Sequence, residues 1–339
     1  MILEDLGEFI AVQDRLFGPV PNIEGNINDP LFVSDQLVLV PLIRPFCIGK
    51  IVDFILKIND STFKRNLLQK GLYKSPILIH RLYERGFYSI EEVSSYLSEH
   101  MIPTALLIFL NYIPQNMIIL KKVVFSNSFS KFADHFMKTP ELLDDYLKYG
   151  FKKGSIEYSI KYDDLSMLKY FTSLPTFQKD QQIDWGYIEW SSKPHSLSMI
   201  SVSAFFGSIN CFKYLMLNGF SINLAVARSA VRGGNFDIIH ECHHHVQDIS
   251  SCMIDASSFM RFDVFEWISS ISTNIEPEAI LTHSIRVISF FLRNGLDVDY
   301  KGNFGITAFH EACSMNNLPL MKFLYDNGAN IENINKYHS

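Results

Sequence analysis

The dipeptide Asn294-Gly295 returns as Asn327-Gly328 after 33 residues, and residues 302–331 spell out what lies between two such stops. Thr307 can cap a first helix with its hydroxyl. Phe309, Ala312 and Cys313 then fall on one face of that helix, small residues admitting a close neighbour and Phe309 serving as a buried anchor. Leu320, Phe323 and Leu324 give a second helix its apolar stripe. Gly328 ends it in the left-handed conformation. Helix pairs this short cannot bury themselves alone. A chain that repeats them is therefore constrained to stack its units, each covered by its neighbours.

The same frame recurs upstream. Leu217-Asn218-Gly219 repeats the helix stop, and Ser203–Ala204 stands where Ala312–Cys313 stands later. Ala279 and the run Phe290-Phe291-Leu292 occupy matching places before Gly295. Gly234-Asn235-Phe236-Asp237 echoes Gly207-Ser208-Ile209-Asn210, and Arg261-Phe262-Asp263 echoes Asn235-Phe236-Asp237 at shorter intervals that leave room for the helices but little for a projecting hairpin. Asp164-Leu165-Ser166-Met167-Leu168-Lys169-Tyr170 matches 208–214. About six units are expected between 150 and 335, interrupted by an insertion at 173–197 that holds Pro175, Trp185, Trp190 and Pro194 and reads as an aromatic-anchored linker.

Residues 302–331 resemble one ankyrin repeat, close to the pattern G-x-T-P-L-H-x-A-A followed by L-L-x-x-G-A. The matched positions are Gly305, Thr307, Phe309, His310, Ala312 and Gly328. The resemblance implies an all-α fold, an ankyrin-type helical solenoid preceded by a helical N-terminal domain. It makes His310 a hydrogen-bonding part of the scaffold. A helical N-terminal region, the stretch Pro41-Leu42-Ile43-Arg44-Pro45 and degenerate repeats together are similar to a large family of protist ankyrin proteins. The family also implies that the two residues after each small pair line a concave face. These are Lys161–Tyr162, Phe205–Phe206, Arg232–Gly233, Ser258–Phe259, Leu281–Thr282 and Ser314–Met315. Candidate partner contacts are accordingly Lys161, Tyr162, Phe205, Phe206, Arg232, Phe259, Ser314 and Met315, a mixture of aromatic, Met and basic side chains typical of interface cores.

Residues 1–140 form the helical N-terminal region, either a distinct domain or repeats that have drifted. Residues 1–36 read as loosely ordered after a short first helix. Helical spacing follows at Ile51, Phe54, Ile55 and Ile58, again over 77–85 up to Gly86, and over 142–149 up to Gly150. Ser89-Ile90-Glu91-Glu92 has the form of a capped helix start. A chain of 339 residues exceeds one core, so two regions are expected. Its net charge of −6 gives no pull toward nucleic acid. Residues 102–120 are the most apolar stretch, but Pro103, Asn111, Pro114, Gln115 and Asn116 interrupt it, so no membrane span is expected. Five cysteines (Cys47, Cys211, Cys242, Cys252 and Cys313) make no disulfide framework, and Cys211, Cys242 and Cys313 fall at packed helix positions. The acidic N-terminus is unlike a signal peptide. An intracellular, cytoplasmic protein is expected.

Nothing in the sequence calls for a cofactor. His240, His243, His244 and His245 with Cys242 and Cys252 invite a metal site, yet consecutive helix residues point in different directions, and Cys242 falls in the frame at a core position. The adjacent acids Asp144–Asp145 and Asp163–Asp164 are solvated helix ends. The expected function is a non-enzymatic scaffold that binds a partner protein through the concave surface. The alternative is an adaptor, for example to a ubiquitin ligase, or a divergent enzyme, with its activity in the N-terminal half. The chain stops where the hairpin of a next unit would begin, which leaves low protection, self-association or an end-on partner as the expectations for the last unit.

Overall fold

The computed structural model describes residues 37, 48–100, 102–109, 112, 139–185, 195–259, 261–272, 275–282, 284–314 and 317–334. They belong to two compact units, one within residues 33–199 and the other within 200–339. Residues 1–36, Pro41–Pro45 and Cys47 lie outside the described residues.

In the first unit, helices α1 (Ile48–Ile55), α2 (Ser61–Lys74), α3 (Pro76–Glu84), α4 (Ile90–His100) and α5 (Pro103–Ile108) follow one another. Helix α3 packs against α1, α2 and α5. Leu67, Leu72, Leu78, Ile79, Leu82, Val93, Leu97 and Phe109 are buried in this region. Asp60 starts α2 by accepting the Phe63 N–H. The capped start at Ser89 forms as a reciprocal pair: Glu92 accepts the Ser89 N–H at 2.7 Å, and the Ser89 hydroxyl accepts the Glu92 N–H at 3.2 Å. Helix α6 (Pro140–Tyr149) is tied to α3 by Arg81, whose Nη2 donates to the Leu147 carbonyl at 2.6 Å. A helix pair follows, α7 (Ile156–Lys161) and α8 (Leu165–Thr172), capped by Ser155 and Asp164.

The insertion departs from the all-α expectation. Strand β1 (Gln182–Trp185) pairs antiparallel with β2 (His195–Ser198), Ile183 opposite Leu197. Ile183 is fully buried. The two strands are too short for an alternating pattern to stand out, which is why the segment reads as a linker in the sequence. Trp190, Pro194 and the other residues at 186–194 lie outside the described residues.

His80 on α3 is buried among Tyr83, Phe109 and Tyr112, with ring centroids 5.5 Å from Phe109 and 5.7 Å from Tyr112. Among the described residues neither ring nitrogen has a hydrogen-bond partner, and Glu84 lies 3.7 Å away. Burial holds the imidazole below its usual 6.5, the Glu84 charge opposing this only in part. The folded unit thus keeps the ring neutral while the unfolded chain takes up a proton as pH falls through 6.5. Stability from this group is complete above that pH and is lost below it. His80→Phe should flatten the acid-side slope of thermal stability between pH 7 and pH 5. An unchanged slope would show that His80 does not set it.

The second unit is a succession of helix pairs. They are α9 (Met199–Phe206) with α10 (Ile209–Leu217), α11 (Leu224–Gly233) with α12 (Phe236–His245), and α13 (Met253–Ser258) with α14 (Phe262–Ile271). Next comes a 3-10 turn (Pro277–Ile280) with α15 (Ile285–Arg293), and then α16 (Ala308–Ser314) with α17 (Leu318–Asp326). Asn223, Asn235, Ser284 and Asn317 cap their helices. Gly219 and Gly328 end theirs at φ 77° and 90°, a conformation that costs other residues a Cβ clash. Consecutive pairs touch through α10 and α12, through α11 and α13, and through α13 and the 3-10 turn. Side chains reinforce the stacking. Asn235 Nδ2 donates back to the Gly207 carbonyl at 3.3 Å, and Arg261 Nε to the Arg232 carbonyl at 2.9 Å.

Three packing expectations are corrected. The Ala279 segment forms only a 3-10 turn and not a full first helix, Leu281 already leaving helical geometry at ψ 48°. Cys313 is exposed where packing was expected. Its counterpart Ala204 is fully buried, because α11 closes on that turn at Gly233, and no described helix closes on α16 in the same way. Phe309 is half-buried and is no buried anchor for the same reason, while Thr307, Ala308 and Ala312 are buried.

Candidate interaction surface

The scaffold motif at 304–310 is a hydrogen-bonded turn. The His310 Nδ1 accepts the Thr307 N–H at 3.1 Å and lies 2.8 Å from the Thr307 hydroxyl, which in turn faces the His310 N–H at 3.4 Å. Both polar ends of the ring-to-hydroxyl contact are spent locally, so the imidazole fixes the helix entry. Gly305 and Gly328 are the two glycines at positive φ that bracket this pair.

The candidate partner contacts fall into groups. Four of them meet in the second unit. Phe205 and Phe206 stand edge to face at 5.4 Å, Phe205 and Phe259 edge to face at 6.2 Å, and the Arg232 guanidinium carbon is 5.4 Å from the Phe259 ring centre. These are the offset and cation-over-ring geometries that aromatic faces favour. Phe205 is only 3% exposed, which corrects its assignment as a contact residue. Helix α11 approaches so closely at Gly233 that the carbonyls of Ala204 and Phe205 have no space above them. Phe205 is the floor of the cluster, and Phe206 and Phe259, both half-buried, are its rim.

Lys161 and Tyr162 belong to the first unit. Tyr162 is exposed and leans on Tyr158 at 4.6 Å, with the Lys161 Nζ 5.8 Å from its ring centre. Ser314 is exposed at the end of α16. Its hydroxyl donates to the Glu311 carbonyl at 2.9 Å. Met315 lies outside the described residues.

Two residues of the cluster escaped the sequence reading. Asp255, 7% exposed, holds Arg232 through Nε at 2.7 Å and Nη2 at 2.6 Å, both on Oδ1. Arg228 approaches the same carboxylate at 3.5 Å through Nε. The repeat frame contained the signal. Arg228 precedes Arg232 by one helical turn, and Asp255 precedes Ser258, the aligned position, by nearly one turn, so all three had to share a face.

The histidine-rich segment does not converge. His240 and His243 lie against Trp267 at 5.0 and 5.6 Å, and His245 pairs with Glu241 at 3.3 Å. Burial pushes the Cys242 and Cys252 thiols up to about 12, which keeps both protonated and poor as nucleophiles or ligands. Among the described residues no three His, Cys, Asp or Glu side chains come together as metal ligands, and no helix is long and apolar enough to cross a membrane.

The ankyrin-repeat family model matches residues 304–332. Comparison with curated proteins gives no match. The chain thus carries an ankyrin repeat, a module whose general role is protein–protein interaction, within a mostly helical fold.

Proposed function

We propose that this chain is a non-enzymatic interaction scaffold in which the helix pairs from 156 to 326 are degenerate ankyrin repeats. On this view a partner protein lies along the inner helices α9, α11 and α13, and the protein works inside the cell, beside the degenerate protist ankyrin proteins it resembles. The carrying observation is the cluster of Phe206, Phe259 and Arg232 over the buried Phe205. An aromatic rim with an arginine over a packed floor is the composition in which interface energy concentrates.

Double replacement of Phe206 and Phe259 by Ala is the test. Capture of partner proteins by the purified full chain should fall at least about tenfold, the loss expected when two anchors are truncated. The helical circular dichroism signal should stay near that of the unchanged chain. Intact capture would remove this face from the function, and a collapsed spectrum would make both residues core.

A further inference from the structure

We propose that the surface of α11 and α13 around Asp255 docks an acidic segment of the partner, one of its carboxylates seated on Arg228 and a neighbouring apolar side chain on Leu224 and Ile254. This rests on the interaction role proposed above and names the chemistry of what binds there.

The sequence supplies one stripe on each helix. Leu224, Arg228 and Arg232 recur every four residues on α11, and Ile254 and Ser258 do so on α13. The two helices pack directly on each other, so the stripes run side by side. Leu224 and Ile254 are exposed aliphatic side chains, Leu224 one turn before Arg228 and Ile254 next to Asp255 in the sequence. Phe259 caps the opposite, C-terminal end of α13.

The charges are unequally engaged. Arg232 is saturated on one edge, since Asp255 takes both its Nε and its Nη2. Arg228 has only the looser 3.5 Å contact through Nε. Its side chain remains 45% exposed, and its two terminal nitrogens have no partner among the described residues. A guanidinium presents those nitrogens as a planar fork that matches a carboxylate with two parallel hydrogen bonds. Arg261 adds a further cation, its Nε on the Arg232 carbonyl and its guanidinium against Gly234. Asp248, the acid next along the chain, is itself turned to the Ser250 N–H and hydroxyl, each at 2.8 Å.

Two arginines thus face one buried carboxylate, with Arg261 held against the Arg232 backbone, in a chain whose net charge is −6. An acidic segment is attracted here and repelled by the chain as a whole, which fixes where and in what register it docks. A carboxylate suits the place better than a phosphoryl group. Asp255 stays beside the incoming anion, and a group with close to two negative charges suffers that repulsion more than a single charge does.

The test uses the full chain as bait and a phage-displayed library of random linear peptides as probe. The selected pool should be enriched in Asp or Glu next to Leu, Phe or Trp, and its binding should weaken as salt rises. Arg228→Gln should weaken the selected peptides about tenfold or more, as expected when one side of a charged hydrogen-bonded pair is removed. Arg228→Lys, which keeps the charge and loses the fork, should fall between. It also covers the case in which the Gln variant folds poorly. A pool that depends on Phe259 but shows no acidic bias, or that ignores Arg228→Gln, overturns the acidic assignment and leaves the interaction role standing. A pool that ignores both residues, or an empty one, overturns both. Tighter binding after the acidic residue is exchanged for phosphoserine overturns the choice of carboxylate.

Discussion

Phe265→Ala is expected to cost about 3–5 kcal/mol of stability in the second unit, the range for truncating a fully buried aromatic. The ring is 2% exposed on α14 and meets two rings of α15, Phe290 edge-on at 5.2 Å and Phe291 at 6.0 Å. The substitution therefore removes transferred area, opens a cavity and deletes two edge-to-face contacts, themselves worth about 0.5–1.5 kcal/mol per pair. Urea denaturation followed by circular dichroism would measure it. Phe265→Leu should recover a large part of the loss by refilling the volume. Phe309→Ala should cost clearly less than Phe265→Ala, because Phe309 is only half-buried. Equal losses at 265 and 309 would contradict the packing described for the last pair.

Gly233→Ala is expected to destabilise by about 3 kcal/mol, toward the upper end for an overpacked site. In an exposed helix the same change would gain up to about 1 kcal/mol from helix propensity, so the sign is diagnostic. The added methyl would run into the Phe205 carbonyl oxygen and lie 2.7 Å from the Ala204 carbonyl oxygen. Those are backbone atoms and cannot rotate away, so α9 and α11 would have to part. The cluster of Phe206, Phe259 and Arg232 spans these helices, and partner capture should fall together with stability. A melting temperature at or above that of the unchanged chain would show that the helices are not in close contact there.

Much of the fold was legible because its signals are local. A glycine after an apolar stripe, a Ser three residues before a Glu, and a Thr before His310 each act within one helical turn. All three have their structural counterparts, at Gly328, in the Ser89–Glu92 pair and in the Thr307–His310 turn. What failed depended on neighbours distant in sequence. Phe205 and Phe206 are equivalent as letters, but only one points under α11. Cys313 matches Ala204 in the frame, yet a residue is buried only where a later helix arrives to cover it. The β1–β2 ribbon is set by cross-strand pairing between segments too short to carry a pattern. Asp255 reads as one more surface acid until two arginines from another helix close on it.

The 3-10 turn at Pro277–Ile280 has a consequence for how the second unit comes apart. In a linear file of elements each joint holds in proportion to the surface its two sides share, and a single turn shares less than a helix. At this joint the second helices carry the contact instead, where Phe265 of α14 meets Phe290 and Phe291 of α15. Truncating Phe265 should therefore release the tail holding α15, α16 and α17 as one block, while the inner helices that carry the arginines stay closed.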